Sequence, residues 1–145
     1  MLPPFYIVIP CFNEEARVGQ TLRLTLDYLA ANAPESELIV VNDGSTDATG
    51  AIARERLKSA QVATRLLENF PNRGKGAAVR SGLLAARTRI GLFSDADLST
   101  PLGETSKLIE PVANDEVDIA LPFNTNGMYR AYVDPNGKFV VEIYR

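Results

Sequence analysis

The chain has 145 residues, 46% hydrophobic and 23% charged with a formal net charge of −3, a composition that fits one compact globular domain. It contains no histidine and one cysteine, Cys11, which excludes an internal disulfide, Ser-His-Asp or Cys-His catalysis and His-ligated zinc within these residues. No apolar run approaches the roughly 18–20 residues of a membrane helix, and the N-terminus lacks the basic and apolar regions of a secretory leader, so a cytoplasmic protein is expected.

Tyr6-Ile-Val-Ile9 is a β-branched apolar run ended by Pro10, and Leu38-Ile-Val-Val41 is another, ended by Asn42-Asp43-Gly44. Both read as buried strands. Between them Val18, Leu22, Leu26 and Leu29 recur at helical spacing, and the helix stops near Asn32-Ala33-Pro34. The pattern continues with a helix over about 46–59, a strand over 62–67, a helix over 76–87 and a strand over 90–94. Thr100 then reads as an N-cap with Pro101 at the first helical position, opening a helix to about Asn114, and 117–121 reads as a fifth strand. Alternating strands and helices predict an α/β fold, a mostly parallel sheet covered on both faces. The runs 128–133 and 138–144, joined by Asp134-Pro-Asn-Gly137, predict a C-terminal β-hairpin packed on the same domain. The expected division is residues 1–122 as the α/β body and 123–145 as the hairpin extension.

In open parallel sheets ligands bind beyond the carboxyl ends of the strands. The four segments that follow the strands here are all polar: Pro10-Cys-Phe-Asn-Glu-Glu15, Asn42-Asp-Gly-Ser-Thr-Asp47, Asn69-Phe-Pro-Asn-Arg-Gly-Lys-Gly76 and Ser94-Asp-Ala-Asp-Leu-Ser-Thr-Pro101. In the last, Asp95 and Asp97 stand at i and i+2 and can share one hard cation, Mg²⁺ or Mn²⁺, whose remaining positions keep water and phosphate oxygens. The same two carboxylates can instead cap the turn and the next helix. Asp43 at a strand end can accept an N–H from a nucleobase, whereas Ser45 and Asp47 fit better as turn and capping residues. Glu14 and Glu15 are expected in the first turn of the first helix, where the macrodipole favours acids.

Residues 54–89 carry nine Lys or Arg against Glu55 and Glu68, while the segments on either side are each acidic overall. That balance argues against a duplex-binding surface, and with no nucleic-acid motif present no nucleic-acid partner is expected; one anionic ligand such as a phosphate fits better. Gly74-Lys75-Gly76 is not a Walker A loop, because Gly76 stands where Ser or Thr is required and Asn69 where the first glycine is required. A glycine-flanked lysine at a helix start can still hold a phosphate, or be a solvated basic turn. Cys11 reads as a small buried hydrophobe.

Taken together, Ile7-Val-Ile-Pro-Cys-Phe-Asn-Glu-Glu15, Val41-Asn-Asp-Gly-Ser-Thr-Asp47, Asn72-Arg-Gly-Lys-Gly-Ala77 with Gly82, and Asp95-Ala-Asp-Leu-Ser-Thr-Pro101 resemble the family 2 glycosyltransferases of the GT-A fold, in particular the polyprenyl- or dolichyl-phosphate hexosyltransferases. The resemblance covers about residues 5–121; the tail from Asn124 matches no family motif. It implies a nucleotide-sugar donor of UDP-glucose or GDP-mannose type, with Pro10, Phe12 and Glu14 bordering base and ribose, Asp43 on the base and Lys75 near the nucleotide. Asp95 and Asp97 would be the catalytic pair, holding Mg²⁺ or Mn²⁺ against the diphosphate, with Asp95 also on the nucleotide. The implied acceptor is a polyprenyl phosphate at the cytoplasmic membrane face, and the implied reaction is hexosyl transfer with inversion. The chain reads as the donor-binding front portion of a longer enzyme; the alternative is a non-catalytic scaffold that retains the loops.

Overall fold

The computed structural model describes residues 1–117, 120, 128–133 and 139–144. Strands β1 (Tyr6–Cys11), β2 (Glu37–Asp43), β3 (Ala63–Asn69) and β4 (Gly91–Phe93) alternate with helices α1 (Val18–Asn32), α2 (Thr49–Leu57) and α3 (Lys75–Ala85). They form one parallel sheet in the order β3-β2-β1-β4, with Ile7 beside Leu38, Val8 beside Phe93 and Ile39 beside Arg65. The sequence expectation of a parallel α/β sheet is met.

The two central strands explain the apolar runs. Ile7, Val8, Ile9, Leu38, Ile39, Val40 and Val41 are all fully buried, as a sheet covered on both faces requires. Each such side chain is worth roughly 1.5–3 kcal/mol of transfer free energy. Alternate residues point to opposite faces. Tyr6, Val8, Ile39 and Val41 form one cluster with Ala78 of α3, flanked by Leu67 and Ala86. Right-handed crossovers that step outward from β1 to β3 place α1 and α2 on the other face, while the return from β3 to β4 carries α3 across. Helix α1 meets that other face with Val18, Leu22, Leu26 and Leu29, all buried. Helix α3 sits close because Gly82 faces Val8: a Cβ at Gly82 would overlap both Val8 methyl groups.

Residues 1–104 and 105–145 form two compact units. The second unit contains helix α4 (Thr105–Ala113) and strands β5 (Met128–Val133) and β6 (Phe139–Tyr144), which pair antiparallel with Ala131 opposite Val141. The expected hairpin is present; its turn, Asp134 to Gly137, lies outside the described residues, as does most of the fifth strand expected over 117–121. The helix expected from Pro101 starts later. Leu102–Glu104 forms one 3-10 turn, with the Glu104 N–H on the Pro101 carbonyl (3.0 Å), and α-helix begins only at Thr105. It then runs through Pro111 near its end.

Candidate functional site at the carboxyl edge of the sheet

The segments after β1 and β2 fasten to each other. Asn13 adopts a left-handed backbone (φ 51°), a conformation Asn tolerates better than most residues. Its N–H donates to Ser45 Oγ (3.0 Å) and its Oδ1 accepts the Thr46 N–H (2.9 Å). The Glu14 N–H donates to Thr49 Oγ1 (2.8 Å) and the Glu15 N–H to Asp47 Oδ2 (3.3 Å), while Glu15 Oε2 accepts the Ala48 N–H (3.0 Å). Asp47 Oδ1 also accepts the Thr49 N–H (2.9 Å) and hydroxyl. These bonds hold the Asp47 carboxyl below its ordinary range, the Thr49 hydroxyl contributing most.

This corrects the expectation for Glu14 and Glu15. Helix α1 begins at Val18, after a turn in which the Glu14 carbonyl accepts the Arg17 and Val18 N–H groups. Neither acid therefore stands in the first helical turn: Glu14 pairs with Arg17 (2.8 Å), and Glu15 serves the start of α2 rather than of α1. Pro10 is half-buried at the end of β1, and Phe12 beyond it is 48% exposed on the rim. Cys11 is buried, its thiol pushed up to about 12 by desolvation first and by the Glu14 charge second, so it is an inert core residue.

Asp43, only 2% exposed, organises the third segment. Its Oδ1 accepts Asn69 Nδ2 (3.2 Å) and the Arg73 N–H (3.0 Å), its Oδ2 accepts the Gly74 N–H (2.9 Å), and its carbonyl accepts Asn72 Nδ2 (2.9 Å). A carboxylate has about four acceptor positions, and these three bonds leave one. The approach needs Gly44, which has φ 73°; a Cβ there would lie 2.9 Å from Asn72 Cα and would overlap the Asn72 nitrogen. Asp43 thus sets the path of the chain into α3 and the place of Lys75, the first residue of that helix.

Past β4 the chain turns sharply. Ala96 packs inward (5% exposed) and Thr21 Oγ1 of α1 donates to its carbonyl. Leu98 lies at φ 51°, a region that costs an L side chain roughly 1–2 kcal/mol. Its N–H closes the turn on the Asp95 carbonyl (3.0 Å). With Ala96 anchored, Asp95 and Asp97 flank it on the solvent side. Asp97 Oδ1 accepts the Ser99 N–H (3.0 Å), a local turn bond of the kind the capping alternative foresaw. Asp95 Oδ1 forms an ion pair with Lys75 Nζ, which joins the third segment to the fourth. Among the described residues no three or more Cys, Asp or Glu side chains converge as a metal cage. The donor set nevertheless suits Mg²⁺ or Mn²⁺ with a phosphate ligand: two carboxylates on one turn, with one oxygen of each engaged in the bonds above, and the other coordination positions left to phosphate and water.

Sequence reading missed Asn13, Asn69, Asn72 and Thr21 as site-building residues. The three asparagines stand in the polar segments already singled out, but their partners, the Thr46 N–H and the carboxylate and carbonyl of Asp43, lie in another segment, and no spacing rule reports those.

Comparison with known proteins gives the pattern a family. The description "Glycosyl transferase family 2" matches residues 6–137. The match runs to residue 137 and so extends the resemblance beyond the residues 5–121 expected from the motifs. The chain is 43% identical over 108 residues to a dolichyl-phosphate β-glucosyltransferase of Drosophila melanogaster, covering 70% of this chain and 33% of that protein. It therefore spans about a third of that relative's length. Its fold resembles a mannosyltransferase of Pyrobaculum calidifontis in complex with GDP-Man and Mn²⁺ (28% identity, TM-score 0.56, 67% of this chain and 28% of that one). It also resembles glucosyl-3-phosphoglycerate synthase of Mycobacterium tuberculosis with Mn²⁺, UDP and glucosyl-3-phosphoglycerate (26% identity, TM-score 0.56, 75% and 39%). With most of its length matched and a parallel sheet whose polar segments gather on one edge, the chain belongs to glycosyl transferase family 2, with the GT-A fold.

Proposed function

We propose that this chain binds a nucleoside-diphosphate hexose at the carboxyl edge of the sheet, as the donor-binding portion of an enzyme that passes the hexose to a polyprenyl or dolichyl phosphate. The carrying observation is the Lys75–Asp95 ion pair, because it brings a phosphate-seeking ammonium and a cation-seeking carboxylate to one place, next to the segment ordered by Asp43. Relatives and neighbours whose names include dolichyl phosphate, GDP-Man, UDP and Mn²⁺ support the reading.

In the transfer, an oxygen of the acceptor phosphate attacks the anomeric carbon, the bond from that carbon to the β-phosphate oxygen breaks, and the nucleoside diphosphate leaves with the electron pair. An anionic acceptor oxygen requires no histidine base, which suits a chain without one. Asp95 and Asp97 would hold Mg²⁺ or Mn²⁺, which when bound supplies stabilisation of the charge developing on the leaving group. Lys75 and the first N–H groups of α3 bind the same phosphates. Phe12, Pro10 and Glu14 border the base and ribose, and Asp43 offers its remaining acceptor position to a base N–H. Because the acceptor is a lipid, the reaction takes place at a membrane surface, with the protein peripheral on the cytoplasmic face; no helix among the described residues is long and apolar enough to cross a membrane.

Titration calorimetry with UDP-glucose and GDP-mannose, with and without Mn²⁺, tests the donor site. Binding that requires Mn²⁺ and is lost in Asp97→Ala is expected. No binding at millimolar donor, or binding indifferent to Asp97→Ala, refutes it. A labelled-hexose transfer assay with polyprenyl phosphate then separates a catalytic chain from a scaffold that only retains the loops.

A further inference from the structure

We propose that Lys75 is the counter-ion of Asp95 in the donor-free protein, and that the ammonium must leave Asp95 before a divalent ion can use that carboxylate in full, so that nucleotide binding promotes ion binding through Lys75. This rests on the carboxylate-pair reading of Asp95 and Asp97 given above.

Three observations carry it. Lys75 Nζ is on Asp95 Oδ1, one of the oxygens a cation would need. Lys75 is also the first residue of α3, a helix with no acidic residue of its own in the first turn, entered through the Arg73 and Gly74 N–H groups that Asp43 accepts. A cation there opposes the positive end of the helix dipole; the Asp43 carboxylate is engaged by backbone N–H groups, and the anion that the ammonium pairs with is Asp95. Finally, the lysine is free to move: it is 59% exposed, and the glycines on either side, Gly74 and Gly76, have nothing within 4 Å of where a Cβ would be.

A diphosphate arriving at the α3 N-terminus brings more negative charge than one carboxylate, and the N–H groups of a first helical turn favour an anion there. Lys75 then exchanges Asp95 for phosphate, and Asp95 is released to the ion. The same residue thus opposes the metal when the donor is absent and assists the donor when it is present. Removing it should move the two affinities in opposite directions, which a purely structural or purely phosphate-binding lysine would not do.

The test is Mn²⁺ alone, titrated without nucleotide and followed by electron paramagnetic resonance, on wild type, Lys75→Met, Lys75→Arg and Asp97→Ala. Lys75→Met should bind Mn²⁺ about two- to fivefold more tightly than wild type, the range expected for an exposed ion pair, while its affinity for UDP and GDP falls. Lys75→Arg should retain the wild-type order. Equal Mn²⁺ uptake by wild type and Lys75→Met, including none by either, or weaker uptake by Lys75→Met, overturns the counter-ion role. Mn²⁺ uptake that Asp97→Ala leaves unchanged overturns the metal reading itself, a distinct result.

Discussion

Two pairs of segments share the carboxyl edge of one sheet and differ in where their polar groups are used. The pair after β1 and β2 satisfies itself: Asn13, Glu14 and Glu15 bond to Ser45, Thr46, Asp47, Ala48 and Thr49. The pair after β3 and β4 is joined by the ion pair of two part-exposed side chains, Lys75 and Asp95. Equal polarity in sequence therefore conceals two roles. Polar atoms bonded to one another across segments build a rigid wall, and those held at the solvent side by buried neighbours, such as Ala96 between Asp95 and Asp97, are available to a ligand. Asp43 stands at the junction, bonded like the wall but directing the open side.

Asp43→Ala tests that junction and should have the largest effect. It strips a buried acceptor from three N–H donors, and hydrogen bonds to charged groups are worth about 1.5–3 kcal/mol each, so a loss of at least about 3 kcal/mol is expected in urea unfolding. A loss below about 1 kcal/mol would place Asp43 outside the framework. Asp97→Ala tests the open side. Under the proposed function it should lower Mn²⁺-dependent nucleotide affinity at least about tenfold, equivalent to about 1.4 kcal/mol, while stability changes by no more than about 0.5 kcal/mol, as at other exposed positions. The reverse pattern would merge the two pairs into one class.

Asn13→Ala probes the wall. It removes the acceptor of the Thr46 N–H and places alanine at a positive φ, for an expected loss of about 1–2 kcal/mol visible in thermal melts. The smallest effect belongs to Asp47, which is half-buried and bonded to the start of α2. Its carboxyl is held below the unfolded value, so its contribution is present above the ordinary carboxylate range and is lost as pH falls through the folded value. Melts of wild type and Asp47→Asn should differ at pH 7 and converge in acid, below the ordinary carboxylate range; a gap that widens on acidification would contradict the bonding around Thr49.

The sheet was legible because burial on both faces writes itself as apolar runs, and the helix α1 because Val18, Leu22, Leu26 and Leu29 repeat on one face. Boundaries shifted where a local bond outside the pattern decided them, as at Glu14, whose carbonyl starts the turn before α1, and at Pro101, which opens a 3-10 turn instead of an α-helix. At the rim, Asp95, Asp97 and Lys75 could be picked out because charge at a strand end is conspicuous. That Lys75 and Asp95 touch could not be read, since it depends on α3 returning across the sheet to place β4 beside β1. For the same reason Asp43 looked like a ligand group alone, its amide donors being some thirty residues further on.

The strand order has a consequence for folding. Neighbours β1, β2 and β3 follow one another along the chain, whereas β4 must come back past two strands to pair with β1. Contacts that close longer loops carry a larger entropic cost, and β4 contributes only three residues to the sheet, so its attachment is the least secure of the four. The carboxylate turn rides on that strand. A ligand that grips both Lys75 and the Asp95–Asp97 turn would therefore act as a fastener for β4, adding about 2.7 kcal/mol at a hundred times its dissociation constant, and hydrogen exchange of Gly91–Phe93 would register its arrival more strongly than any amide in β1 or β2.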